Sequence, residues 1–97
     1  MNRHEALERL TERGAEIHSR FAVKELAVFG SIARDEPRPG SDLDVLVTFE
    51  GKADFDRFMD LKFYLEDMLG VQVDLVTRNA LRPELRPQIE HETIHVS

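Results

Sequence analysis

The chain has 97 residues, 19 of them acidic and 13 Lys or Arg, for a net charge of −6. That length supports one hydrophobic core, so residues 1–97 are expected to form a single domain. Scattered basic residues, with only a loose group at Arg78, Arg82 and Arg86, argue against general nucleic-acid binding. The absence of cysteine excludes disulfides and thiolate metal sites and suits a reducing cytoplasm, which is the expected location. The opening "MNRHEALERLTERG" is charged throughout and lacks the apolar centre of a signal peptide. No apolar run approaches the roughly 20 residues of a membrane span.

Leu7, Leu10, Ile17 and Phe21 recur at helical spacing and predict an amphipathic helix over Arg3 to Phe21, weakened at Gly14. "LAVF", Leu26 to Phe29, reads as a short buried strand closed by Gly30. Ser31 to Asp35 has room for one or two helical turns, with Ser31 near the first. "EPRPGS" is a loop, because two prolines and a glycine permit neither ladder nor helix. "LDVLVTF", Leu43 to Phe49, is a second strand, and Gly51 and Lys52 make the turn after it.

Asp54 is placed as an N-cap for a helix over Phe55 to Leu69, with Gly70 just past its end. Within that helix Phe63 and Tyr64 cannot both face the core. "VQVDLV", Val71 to Val76, is a third strand. A last helix over Asn79 to His91 is expected to bend or break at Pro83 and Pro87, with "TIHV" as a closing edge strand. Strands alternating with helices predict an α/β (α+β) fold: a small mixed β-sheet of three to four strands flanked by helices. The link between the first two strands is too short for a crossover helix, so those strands are expected to run antiparallel. Gly30 and Asp42 then fall at the same edge of the sheet.

Asp44 sits inside a strand, where aspartate is depleted, and Asp74 shares that anomaly. Asp42 alone reads first as a turn residue before a strand. On a strand, positions i and i+2 share a face, which puts Asp42 and Asp44 roughly 6–7 Å apart along it. If the third strand pairs with the second, Asp74 faces the same point. Three clustered carboxylates repel one another, and a hard divalent cation such as Mg²⁺ relieves that repulsion while leaving coordination places for phosphate oxygens. Gly30 lets backbone approach a phosphate closely, and Ser31 offers a hydroxyl at the head of a short helix. Arg34, one turn on, suits either a phosphate or a salt bridge to a nearby acid. His91 and His95 are four apart, but with no cysteine they make a weak case for zinc.

The stretch "GSIARDEPRPGSDLDVLV" resembles the signature of the DNA polymerase beta-like nucleotidyltransferases: Gly-Ser, a spacer, Asp-x-Asp on a strand and a third Asp on a later strand. With the short length and the tail "LRPELRPQIEHETIHV", it looks most like the minimal nucleotidyltransferase (MNT) family, over nearly the whole chain. The resemblance implies transfer of a nucleoside monophosphate from a triphosphate such as ATP to a hydroxyl. It implies that Gly30 and Ser31 meet the triphosphate, beside which Arg34 is a candidate on its own reading. It likewise implies that Asp42 and Asp44 hold two Mg²⁺ ions and that Asp74 serves the metal at the attacking hydroxyl. Members often accompany a HEPN-domain toxin and act as its antitoxin by adding AMP to a tyrosine. Two other functions compete: a non-catalytic module that neutralises its HEPN partner by covering it, and transfer to a small molecule. Asp35 departs from the family, which commonly has Gly after the Ala-Arg pair, and implies an altered loop.

Overall fold

Alternate residues of "LDVLVTF" are fully buried, and this alternation sets the architecture. The computed structural model describes residues 1–34 and 42–96. Four strands, β1 (Val23–Phe29), β2 (Leu43–Phe49), β3 (Val73–Thr77) and β4 (Ile94–His95), form one sheet in the order β3-β2-β1-β4. The β1–β2 and β1–β4 pairs are antiparallel and the β2–β3 pair is parallel. The mixed sheet flanked by helices, and the antiparallel first pair, are as the sequence predicts. Asp35 and the "EPRPGS" loop lie outside the described residues.

One face of the sheet carries the main core. Leu26 and Val28, then Leu43, Val45 and Val47, then Val73 and Leu75 pack against Leu10, Ile17, Leu61, Leu65 and Leu69. These last come from α1 (Arg3–Glu12), α2 (Gly14–Phe21) and α4 (Phe55–Leu69). The opposite face carries a smaller cluster, Ala27, Leu46 and Leu81, with Phe29, Val76 and Ile89 packed on it. Because side chains alternate along a strand, Asp44 and Asp74 share this second face, flanking the positions of Leu46 and Val76.

The parallel β2–β3 pair needs a crossover, and α4 supplies it. Its start is fixed by Asp54, whose side chain accepts from the Arg57 N–H at 2.8 Å. Its end is fixed by Gly70, at φ 71, whose N–H donates to the Glu66 carbonyl. Tyr64 packs on Phe21, with ring centroids 5.2 Å apart, and donates to Glu16 at 2.9 Å; Phe63 points outward, 55% exposed.

Three boundaries differ from the sequence reading. The first helix is two, because Arg13 leaves helical geometry (φ −101°, ψ 5°) just ahead of Gly14; the Ile17 N–H still reaches the Arg13 carbonyl at 2.9 Å. Strand β1 begins at Val23, three residues earlier, where pairing with Phe49 overrides the polar Lys24 and Glu25. The last helix is confined to α5 (Arg86–Glu92), with Pro87 in its first turn, where a missing N–H costs nothing; a 3₁₀ turn spans Arg78–Ala80.

Truncating the crossover helix tests this core. Leu65→Ala, at a fully buried position, is expected to lower stability by about 2–5 kcal/mol in urea denaturation, whereas Phe63→Ala should change it by less than about 1 kcal/mol.

Candidate functional site

Strand β1 ends at Phe29, which lies opposite Asp44 in the antiparallel register. The chain then turns into α3 (Gly30–Ala33). Gly30 makes this turn at φ +77°, a conformation that side chains disfavour. A Cβ at Gly30 would sit 2.0 Å from Asp44 Oδ2, so the Asp44 carboxylate lies where any other residue would place its side chain. Ser31, half-buried, follows at the same end of the sheet.

Across the parallel pair, Asp44 is in register with Asp74, and the two carboxyl groups lie close enough to act on each other. The Asp44 pKa is raised to about 6. Burial is the largest cause, followed by the charge of Asp74 and the hydrogen bond to it, then the charges of Asp42 and Glu92. Asp44 therefore keeps its proton at a pH where ordinary aspartates have lost theirs. Asp42 stands exposed just before β2 and, with Asp74, lines an open groove of about 730 Å³ that reaches Lys62 and Glu66 on α4.

Two further carboxylates organise the surroundings, and periodicity pointed to neither. Glu66 accepts from the Val73 N–H and from Lys62, each at 3.0 Å, and its pKa falls below the usual range, the Val73 hydrogen bond being the first cause and Lys62 the second. This bond pins the start of β3 one residue before Asp74. Glu92, at the end of α5, accepts from the Gly30 N–H at 3.3 Å and from Arg34 at 2.9 Å. Arg34 therefore adopts the salt bridge of its two expected roles. The Lys62/Glu66 spacing is legible as a helix pair, but the bonds to Val73 and Gly30 join distant segments and leave no trace in local pattern.

The donor set suits a hard divalent cation: the aspartates offer oxygen ligands only, and their crowding is what a cation would relieve. Among the described residues no three carboxylate or imidazole groups are already gathered as a cage. Asp44 and Asp74 touch, and the exposed Asp42 would have to turn toward them. Among the described residues His91 and His95 join no such group either.

A protein-family model described as a nucleotidyltransferase domain matches residues 7–96. The chain belongs to this family. Protein adenylyltransferase MntA of Thermococcus cleftensis is 39% identical to it over 87 residues, covering 90% of this chain and 88% of the relative. A solved structure described as a minimal nucleotidyltransferase matches with a TM-score of 0.82 at 40% identity, covering 97% of this chain and 95% of that one. The MNT resemblance and its fold are thereby borne out. A structure of a tri-AMPylated Shewanella oneidensis HEPN toxin in complex with an MNT antitoxin contains a chain that matches at TM-score 0.68 and 17% identity, covering 94% of this chain and 71% of that one. At that identity the likeness shows the fold alone.

Two predictions follow from the minimal nucleotidyltransferase geometry. Gly30→Ala should cost roughly 2–4 kcal/mol in thermal or urea denaturation, since the added methyl combines a left-handed φ with displacement of Asp44. The second concerns pH in the presence of a chelator. An acid with a raised folded pKa favours the fold in its protonated form, so this contribution is complete below the unfolded value near 4 and is lost as pH rises through about 6. The Tm should therefore rise as pH falls from 7 toward 5, and Asp44→Asn should flatten that slope. Glu66 acts oppositely, but its stabilisation is lost only below the ordinary carboxylate range.

Proposed function

We propose that this protein transfers AMP from ATP to a hydroxyl of a protein partner, a tyrosine of a HEPN-domain toxin, and so acts as its antitoxin in the cytoplasm. The observation that carries this reading is the Asp44–Asp74 contact beside Gly30, within a chain 39% identical to a protein adenylyltransferase. The HEPN partner is supported by the fold shared with a chain of the toxin–antitoxin complex.

In this reading Asp42, Asp44 and Asp74 hold two Mg²⁺ ions. Bound there, the ions supply the positive charge that an acidic site needs to accept a triphosphate. Gly30 and Ser31 bring backbone and hydroxyl donors to the phosphates, and Arg34 adds a guanidinium. Asp74, exposed to the groove, accepts the proton of the acceptor hydroxyl. The oxygen so released bonds to the α-phosphorus as the bond to pyrophosphate breaks. The groove gives the acceptor an approach on the side of Asp74 away from Gly30 and Arg34, so acceptor and triphosphate need not compete for space.

One observation favours a second reading, a module that neutralises its partner by binding alone: the Gly30 N–H and Arg34 are already taken by Glu92.

The experiment that decides supplies ATP labelled on the α-phosphate, Mg²⁺ and the HEPN protein encoded beside this chain. Label should appear on the partner, and Asp42→Ala or Asp44→Ala should reduce it by at least about 100-fold, as loss of charge stabilisation at a transferring phosphoryl group does. A partner that is inhibited yet unlabelled would overturn transfer and support the binding module.

A further inference from the structure

Glu92 is an acid that the proposed chemistry does not use, yet it is held by two of that chemistry's groups. Its Oε1 accepts from the Gly30 N–H at 3.3 Å and its Oε2 from Arg34 at 2.9 Å. A backbone N–H beside a guanidinium is a donor pair suited equally to a carboxylate and to a phosphate. The Glu92 side chain is 17% exposed and that of Arg34 45%, so the donor pair is open to an arriving solute. Glu92 also adds negative charge beside Asp44.

The segment that presents Glu92 is lightly anchored. Helix α5 has seven residues and none of them is buried; the strand after it has two residues. Ile89 and Ile94 seat this segment on the two core clusters, and Glu92 itself belongs to neither. An anion arriving at Gly30 and Arg34 meets a carboxylate of like charge on the same donors, and both cannot stay.

We propose that Glu92 is a displaceable stand-in for a phosphate group: its carboxylate holds the Gly30 N–H and Arg34 and yields them to the triphosphate of the nucleotide. This rests on the nucleotidyltransferase reading and extends it, because it makes Glu92 the residue that sets nucleotide affinity. It also ties occupancy of the site to the C-terminal segment, since the triphosphate releases the end of α5. A residue that merely fixed Arg34 in place would act in the opposite sense, and its loss would weaken nucleotide binding.

The test is the Kd of a non-transferable ATP analogue with Mg²⁺, measured by calorimetry for the wild-type chain and for Glu92→Gln, with tripolyphosphate and adenosine as separate probes. Removing one like charge next to a polyanion should tighten the analogue and tripolyphosphate by about fivefold and leave adenosine unchanged. Unchanged or weaker binding of the analogue by Glu92→Gln, with the wild type binding normally, overturns this inference and leaves the nucleotidyltransferase reading intact. Failure of both proteins to bind any nucleotide overturns the two together. Should Glu92→Gln not fold, the wild type alone decides: the ¹³C resonance of the Glu92 carboxyl must shift on titration with the analogue, and a stationary resonance overturns the proposal.

Discussion

The parallel pairing of β2 with β3 is the constraint on which the site depends. It sets Asp44 directly against Asp74 at the end of the sheet and brings the two carboxyl groups into contact. That arrangement is unfavourable in isolation, since like charges in a partly buried place resist ionisation. It persists because each aspartate is flanked along its strand by residues the core will not release. Leu43 and Val45 enclose Asp44, Val73 and Leu75 enclose Asp74, and all four are buried. A one-residue slip of either strand would expose those side chains, so the hydrophobic face fixes the position of the acids.

The crossover that delivers β3 is itself over-determined. Asp54 starts α4, Gly70 ends it, Leu61, Leu65 and Leu69 seat it on the sheet, and Glu66 binds the N–H of Val73 as the strand begins. The other side of the site depends on a missing side chain. Gly30 turns the chain from β1 into α3 and leaves its Cβ position to the Asp44 carboxylate. The Asp-x-Asp motif and the Gly-Ser motif are thus one construction: the aspartate is accommodated because the glycine opposite has nothing to put there.

Much of this was legible in the sequence, for reasons that differ by element. Asp44 and Asp74 stood out because strands rarely tolerate aspartate, and period-two alternation gave them their face. Helix α4 was legible end to end because its caps are local. The kink at Arg13 was not, since the apolar spacing of Leu10, Ile17 and Phe21 continues through it. The end of the chain was least legible. Two prolines marked a break without saying which side would be helical, and the contact of Glu92 with Gly30 spans 62 positions. Bonds of that reach are set by how the β1–β4 pairing folds the tail back over the sheet, which no window of sequence reports.

The distribution of charge around the acids bears on what such a site can accept. Among the described residues, two cations of this region are held in ion pairs: Arg34 with Glu92 and Lys62 with Glu66. These pairs cancel in charge, which leaves the three aspartates to set the sign of the site, in a chain whose net charge is itself −6. A triphosphate brought to such a place by protein groups alone would be repelled. On the proposed reading the balance changes in two linked ways. Cations bound by the aspartates reverse the sign of the field at the end of the sheet, and withdrawal of Glu92 opens to the same phosphates the donors it had occupied. Neither change is sufficient alone. With Glu92 in place the donors are blocked, and without cations the aspartates still repel. A site built this way stays closed to anions until nucleotide and metal arrive together.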